Sequence, residues 1–138
     1  MRYMVFALLI AATGAQADRA TLSAINTARA AEGRSALVYD PRLEAAARAH
    51  GEDMAAQKFF SHTGSDGSDI GARLRRQGYA FCFGAENIAA GQRSLVDVMA
   101  AWMQSRGHRR NILHRKAKAV GVARVEGDRW VMVLAAPC

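Results

Sequence analysis

Several features that would assign a function directly are missing from this sequence. There is no H-E-x-x-H segment of the kind that holds zinc in metalloproteases, and no G-x-S-x-G segment that would carry a nucleophilic serine. Cysteine and proline are rare, with two of each among 138 residues, and no apolar run reaches the ~20 residues of a transmembrane helix. The sequence therefore has neither a recognisable nucleophile motif nor a membrane span. Its length suits one domain with its own core.

Acidic residues are also scarce, since 12 Asp and Glu face 19 Lys and Arg and give a formal net charge of +7. A basic balance can indicate nucleic-acid binding, but here most cations are spread along predicted helices and no aromatic stacking motif accompanies them. We therefore expect no nucleic-acid partner. The one dense cluster, residues 106–118, would fit an anionic envelope surface made of polymers or lipid headgroups. A solvated surface without a partner is an equal alternative.

The first 17 residues have the pattern of a secretory signal peptide. Arg2 precedes an apolar run over residues 4–12, and Ala15-Gln16-Ala17 is a small-x-small sequence of the kind that signal peptidase cleaves. We expect cleavage after Ala17, so that residues 18–138 form one soluble, monomeric domain that is secreted or periplasmic. The alternative is an uncleaved N-terminal anchor, although the apolar run is short for one.

The two cysteines, Cys82 and Cys138, suggest one disulfide bond in an oxidising compartment. The bond would close a loop of 56 positions (138 − 82) and attach the end of the chain to its middle. The alternative is a pair of free buried thiols, which export makes less favourable.

The hydrophobic periodicity predicts helices first, then mixed helix and strand, and a hairpin at the end. This order is typical of an α+β layered domain with an antiparallel sheet. The predicted helices are residues 21–32, residues 41–58 after the N-cap Asp40, a short helix from Ser68 or Asp69 to Gly78, and a helix from the N-cap Ser94 to Gly107, with residues 109–114 as a turn or loop. The predicted strands lie within residues 79–90, with an irregular middle at Glu86-Asn87, and in a hairpin of residues 119–125 and 129–136.

Three titratable residues, His62, Glu86 and His108, are each set among apolar and small residues, and we expect them to meet in one cleft. They could ligate a divalent metal, act as general acid and base, or form a buried polar network. Spacing does not discriminate, because 46 positions (108 − 62) separate the two histidines. We interpret His50, on a helix, as structural, and His114, in a basic run, as a surface residue.

Three motifs in order, Phe60-Ser61-His62, residues 85–89 (Ala-Glu-Asn-Ile-Ala) and residues 102–113 (Trp-Met-Gln-Ser-Arg-Gly-His-Arg-Arg-Asn-Ile-Leu), closely resemble the bacterial branch of the CAP superfamily, also called SCP-like. Residues 26–37 and the hairpin fit as well, and the resemblance covers nearly all of residues 21–138. It implies a three-layer α-β-α sandwich with a large central cleft.

The cleft of this family has two histidines and acidic partners, and some members bind zinc or another divalent cation there. By motif, the histidines map to His62 and His108 and the glutamate to Glu86, with Asn87 beside it. Two departures stand out: Ala85 replaces a usual glycine, and residues 103–105 (Met-Gln-Ser) lack the second glutamate of the better-known eukaryotic members. A three-residue site, with Asp66 nearby, is the expectation for this chain.

Fold does not determine function in such a family, and three hypotheses remain. The first is an exported binding module whose His/Glu cleft holds a lipid, a glycan or a peptide, with or without Zn²⁺ or another divalent cation. The second is a metal-assisted, peptidase-like hydrolase in which His62 and His108 hold the metal and Glu86 is the base. The third is a purely structural polar network.

Overall fold

The structure, a computed structural model, describes residues 4–138, and for residues 4–13 and 15 it describes the backbone alone. The helices are α1 (Met4–Ala31), α2 (Pro41–Gln57), α3 (Ile70–Arg76), α4 (Leu95–Gln104) and α5 (Arg106–Ile112), and the strands are β1 (Val38–Tyr39), β2 (Phe81–Ala90), β3 (Ala119–Val125) and β4 (Arg129–Pro137). They form an α-β-α sandwich, as predicted.

The central sheet has the strand order β1-β3-β4-β2. The hairpin β3–β4 and the pair β2–β4 are antiparallel, whereas the two-residue strand β1 joins the edge of β3 in parallel. The antiparallel sheet expected from the sequence is thus present, with one short parallel strand added. β2, which carries Glu86 and Asn87, is the other edge strand.

Helices cover both faces of this sheet. One face packs against α2 and α3 around Leu43, Met54 and Leu74, and the other packs against α1, α4 and α5 around Ile25, Trp102 and Ile112. Along a strand, successive side chains point to opposite faces. Glu86 and Ile88 therefore share the α2/α3 face, and the next residue, Asn87, faces the α1/α4/α5 layer.

Local chemistry explains most helix boundaries. The side chain of Asp40 accepts a hydrogen bond from the N–H of Arg42, with Pro41 at the first helical position, and the side chain of Ser94 caps α4 by accepting from the N–H of Asp97. Asp69, one of the two predicted caps, begins α3. These three helix starts confirm the sequence prediction.

Two predictions about local structure are wrong. Gly107 does not end a helix: α4 ends at Gln104 because Ser105 is extended (φ −95, ψ 121), and Gly107 is the second residue of α5. Nor is the middle of β2 irregular. Glu86 and Asn87 pair regularly with Val133 and Met132, and the only register shift in this strand pair lies between Phe81 and Phe83.

A close approach between α2 and the sheet depends on Gly121 in β3. A Cβ built on Gly121 would overlap backbone atoms of Leu43 and Glu44, in the first turn of α2. No side chain fits there, so glycine lets the helix rest directly on the strand. This contact positions the α2/α3 layer, from which the loop carrying His62 extends.

The predicted disulfide bond is present. Cys82 in β2 and Cys138 are bonded, with their Cα atoms 4.9 Å apart, and the bond joins the end of β4 to the start of β2. It closes the strand pair at the position of the register shift.

The predicted signal peptide falls partly outside the described residues, since residues 1–3 are not covered and the side chains of 4–13 and 15 are not described. Its cleavage after Ala17 stays a prediction. Among the residues that the structure describes, no helix combines the length and the apolar character needed to cross a membrane.

Candidate functional site

The candidate site lies at the β2 edge of the sheet, where α3 packs on one face of the strand and α5 on the other. Glu86 projects toward α2 and α3, and Asn87 projects toward α5, because neighbouring strand residues alternate in direction. The loop after α2 brings His62 to the first residue, and α5 brings His108 to the second. The strand edge therefore joins two polar clusters that belong to different layers.

Glu86 is the centre of the first cluster. Its side chain is only 3% exposed, and each of its oxygens has a charged or polar partner: Oε1 accepts from Nδ1 of His62 at 2.9 Å, and Oε2 accepts from Nη2 of Arg73 at 2.9 Å. A buried carboxylate is stable only when it is paired in this way. Both oxygens of Glu86 are thus engaged within the protein.

The Glu86 bond determines how His62 presents its ring. A carboxylate accepts hydrogen bonds, so the proton on this contact belongs to Nδ1 of His62, and in the neutral ring Nε2 carries the free lone pair. The side chain of His62 is 60% exposed, in contrast to the buried Glu86 behind it. The arrangement presents an oriented imidazole to solvent.

Arg73 organises the loop around His62. Besides the Glu86 contact, its guanidinium donates to the backbone carbonyls of Ser68 at 2.8 Å and His62 at 3.0 Å, and it is itself buried. One α3 side chain therefore holds both ends of residues 62–68 and the carboxylate that orients His62. Its Nε has no hydrogen-bond partner among the described residues.

After Arg73, His50 is the second residue of this cluster to which no sequence pattern assigned a role in the site. It is fully buried on α2, its Nε2 donates to the carbonyl of Ser61 at 2.7 Å, and the same nitrogen lies 3.8 Å from Oε1 of Glu86. The interpretation of His50 as a structural residue is thus supported. The part of the structure that it stabilises is the buried base of the site, at Ser61 and Glu86. No local pattern in α2 or α3 marked His50 or Arg73 as a partner of Glu86, because both helices carry several other charged residues.

The second cluster, on the opposite face, centres on Asn87. Its Nδ2 donates to the backbone carbonyl of His108 at 3.0 Å, and its Oδ1 accepts from Nδ2 of Asn111 at 2.9 Å. Asn111 also reaches the backbone carbonyl of Glu86 at 3.4 Å. These bonds attach α5 to the edge strand at the residue next to Glu86, and Asn87 itself is fully buried.

His108 is half-buried on α5, and burial lowers its pKa, with the nearby charge of His62 adding to the effect. The two histidines belong to different layers, His62 to the loop after α2 and His108 to α5. The described hydrogen bonds connect His62 to Glu86 directly and connect His108 to Asn87 through its main chain only.

The residues do not assemble into a three-ligand metal centre. Within residues 4–138 no group of three or more His, Cys, Asp or Glu side chains is placed to hold one ion, and both oxygens of Glu86 are already engaged. The donors that remain are two imidazoles, His62 and His108. Catalytic zinc sites use three protein ligands and an open position.

Asp66, which sequence analysis placed near the site, belongs to a neighbouring cavity. It accepts hydrogen bonds from the N–H of Ser68 at 2.9 Å and from Arg76 at 2.7 Å, and these contacts, the Ser68 bonds first, hold its pKa well below the usual range. With His50 and Arg73 it lines a cavity of about 180 Å³ behind the cluster. None of its described hydrogen bonds goes to His62 or Glu86.

This geometry defines a class of protein, namely a small α-β-α sandwich with an oriented histidine at the edge of its sheet. The sequence comparison makes the assignment specific. The profile of the Cysteine-rich secretory protein (CAP) family matches residues 22–135, and the chain belongs to that family.

Two curated proteins of Bacillus subtilis (strain 168) are similar to this chain. The uncharacterized protein YkwD is 32% identical over 114 residues, which are 82% of this chain and 44% of YkwD. The uncharacterized membrane protein YlbC is 28% identical over 105 residues, which are 76% of this chain and 30% of YlbC. The chain therefore spans less than half the length of these curated relatives.

Solved structures confirm the fold. An extracellular protein containing an SCP domain from Bacillus anthracis superposes with a TM-score of 0.81 at 26% identity, covering 85% of this chain and 39% of that one. An outer surface protein of Borrelia burgdorferi gives a TM-score of 0.81 at 21% identity, covering 87% of this chain and 92% of that one, a likeness that concerns fold alone. The α-β-α sandwich implied by the sequence motifs is thus confirmed.

Proposed function

We propose that this CAP domain is an exported binding module. In this proposal the cleft at the β2 edge, formed by His62, Glu86, Asn87 and His108, binds a lipid, a glycan or a peptide. The observation that carries the proposal is the state of Glu86, whose two oxygens are bonded to Arg73 and His62. A carboxylate that is held in this way and is only 3% exposed orients its neighbour, and bulk water has little access to its oxygens.

The exposed neighbours of His62 support recognition of a ligand with both polar and apolar parts. Phe60 is 55% exposed, and it is two residues from the exposed imidazole of His62. An aromatic ring beside an oriented hydrogen-bonding group is a common element of sites for sugars, lipids and peptides.

A divalent cation, with Zn²⁺ as the first candidate, would be held through the imidazole nitrogens of His62 and His108, and water would complete its coordination. When bound, such a cation supplies Lewis acidity and a coordination site for an anionic or carbonyl oxygen. With two protein ligands rather than three or four, we expect weak binding. In this proposal the ion assists ligand binding.

The alternative, a metal-assisted hydrolase with Glu86 as its base, has less support. It needs a Glu86 oxygen that water can reach, whereas this carboxylate is only 3% exposed and is held by Arg73 and His62. The third hypothesis, a purely structural network, describes the buried residues well but gives no reason for the exposure of His62 and Phe60.

Export is also part of the proposal. It is supported by the signal-peptide pattern of residues 1–17, by the disulfide bond, and by the similar Bacillus anthracis protein, which is described as extracellular. Mass spectrometry of the protein from the producing cell tests it. A new N-terminus at Asp18 is expected, and an intact Met1 in the exported fraction would contradict cleavage.

Calorimetric titration with Zn²⁺ tests the metal assignment. The wild-type chain should bind one ion weakly, and His62→Ala and His108→Ala should each remove the binding. His114→Ala is the matched control, because His114 is a half-exposed histidine outside the cleft, and it should bind as the wild type does. Equal binding by all four proteins would overturn the assignment of the two imidazoles as ligands.

Binding of glycan, peptide and lipid panels to wild type, His62→Ala and Phe60→Ala tests the binding module itself. Both substitutions are at exposed positions, so the variants should stay folded and lose affinity together. A turnover of peptide substrates that is lost in Glu86→Gln, in a variant shown to be folded, would instead support the hydrolase.

A further inference from the structure

A second surface, which differs in chemistry from the Glu86 cluster, carries a dense array of arginines. Arg34, Arg106, Arg109, Arg110 and Arg115 line an open groove of about 540 Å³ together with Leu113. We call it the arginine groove. Four of its five arginines come from α5 and the loop after it, and Arg34 comes from the segment after α1.

The positive charge of the arginine groove is poorly compensated. Among the described residues the one carboxylate bonded to these five side chains is Glu32, which lies 2.9 Å from Arg109. Arg106, Arg110 and Arg115 are exposed and have no ion pair in the described part of the chain. Neighbouring carboxylates would normally disperse such a charge, so the groove should attract anions strongly.

The groove is also held in shape. Arg34 donates through Nε to the carbonyl of Leu113 at 2.9 Å, and the buried Arg29 donates to the carbonyls of Ile112 at 2.8 Å and His114 at 3.0 Å. The last carbonyls of α5 are therefore satisfied by arginines from α1 and the segment after it. The backbone that carries these arginines is therefore attached to the core, and its conformation does not depend on a ligand.

The pKa of His114 reflects the positive electrostatic potential of this region. Burial lowers its pKa first, and the charges of Lys116, Arg110 and Arg29 lower it further. The groups that face it from other elements are Arg29 of α1 and the ring of Phe83 of β2, which stacks on the imidazole at a centroid distance of 4.2 Å. No carboxylate is among the described residues that influence it.

Apolar side chains are interspersed with these cations. Phe83 and Pro137 line a second depression of about 540 Å³ together with Lys116 and Lys118, and Phe83 is in contact with His114 of the arginine groove. Pro137 is exposed and Phe83 is partly exposed. Cations and accessible apolar groups therefore share the α1/α4/α5 side of the sheet at this end.

We propose that this face binds the surface of an anionic phospholipid bilayer. The guanidinium groups of the arginine groove hold headgroup phosphates, which they can bind in bidentate fashion, and Pro137 with the ring of Phe83 rests at the level of the headgroups and glycerol. A soluble polyanion would explain the cations but would have no use for the apolar groups between them. The inference does not depend on the ligand of the His62 cleft.

Sedimentation with vesicles tests this directly. The full chain is mixed with vesicles of phosphatidylcholine alone or with phosphatidylglycerol added, and the neutral vesicles account for any binding by the apolar run at residues 4–12. Binding should require phosphatidylglycerol and should weaken as salt is raised. The triple variant Arg106→Gln, Arg110→Gln and Arg115→Gln should bind about 100-fold more weakly, at about fivefold for each cation near an anionic surface.

The matched control is Arg48→Gln, Arg75→Gln and Arg93→Gln, which removes the same charge from exposed positions outside this face. It should bind almost as the wild type does, and an equal loss in both triple variants would overturn the proposal in favour of a net-charge effect. Pro137→Ser, at an exposed position of this face, distinguishes the sources of phosphate. It should weaken vesicle binding severalfold and leave affinity for soluble polyphosphate unchanged. Binding of polyphosphate without binding of anionic vesicles would overturn the assignment to lipid.

Discussion

Arg73 and Glu86 form an ion pair inside the protein, with Nη2 of the arginine 2.9 Å from Oε2 of the glutamate and side chains that are 5% and 3% exposed. Each charge in such a site depends on the other, because neither can recover its hydration. The pair lies directly behind the exposed imidazole of His62. A change in either residue should therefore affect stability as well as the orientation of His62.

Glu86→Gln should destabilise the fold by about 3–5 kcal/mol, because it keeps the shape of the side chain but leaves the guanidinium of Arg73 buried without its counter-charge. Urea unfolding measures the change. Glu44→Gln is the matched control, since it removes the acid of the partly exposed pair between Glu44 and Arg48 and should cost at most about 1 kcal/mol. Similar losses in the two variants would contradict the buried ion pair.

His108 should make the protein less stable in mild acid. Its folded pKa lies below its ordinary value of 6.5 because of burial and the charge of His62, so below pH 6.5 the unfolded chain binds more protons. The stability that neutral His108 contributes is present above pH 6.5 and is lost as the pH falls through its folded pKa. Urea unfolding at pH 7.5 and 5.5 should show a smaller loss in His108→Asn than in the wild type.

His114 has a pKa lowered in the same direction, by burial and by the surrounding cations, and it supplies the comparison for His108. His114→Asn should also reduce the acid sensitivity, and the double variant should reduce it by the sum of the two effects, because the residues share no described contact. If the acid sensitivity is unchanged in both variants, it arises from the carboxylates and not from these two histidines.

Gly121→Ala should be strongly destabilising, by about 1–3 kcal/mol or more, because the added methyl group would overlap the backbone of Leu43 and Glu44 in α2. Gly107→Ala, in α5, is the matched comparison. A Cβ at Gly107 meets nothing within 4 Å, and a glycine inside a helix costs about 0.5–1 kcal/mol relative to alanine. Thermal unfolding should therefore show opposite changes, and a loss of stability in Gly107→Ala would favour its sequence-based role as a helix terminator.

Removal of the disulfide bond should cost about 4 kcal/mol in the chain-entropy model, because Cys82 and Cys138 close a loop of 56 positions. The double variant Cys82→Ser and Cys138→Ser, compared with the wild type in urea, measures this. The wild type under reducing conditions should lose a similar amount. A double variant as stable as the oxidised wild type would mean that the unfolded chain is already compact around this loop.

Most elements could be predicted because their causes are local. Asp40 before Pro41 begins a helix, Ser94 begins another, and two apolar runs around residues 126–128 form a hairpin, and each of these depends on residues that are close together in the chain. The end of α4 was predicted incorrectly at Gly107 because Ser105, a residue with no special backbone preference, takes the extended conformation.

The candidate site shows the limit of such reasoning. The motifs selected His62, Glu86, Asn87 and His108, but an irregular strand was expected at Glu86-Asn87, so the opposite directions of these two side chains emerged only from the regular pairing of β2. Nothing local identified Arg73 or His50 as partners of Glu86, since 13 and 36 positions separate them from it. Their roles follow from the packing of α2 and α3 on the sheet, which depends in part on the absence of a side chain at Gly121.

Local chemistry in the chain was thus sufficient for three helix starts, the hairpin and the family, since caps, periodicity and motif order are properties of neighbouring residues, and the disulfide pair followed from the presence of only two cysteines. Tertiary packing alone decided that Glu86 is engaged by Arg73 and that Arg34 joins the arginines of residues 106–115 in one groove. The reason is that a side chain's charge partners are determined by which layers meet at a sheet edge, and that depends on long-range packing which no short segment encodes.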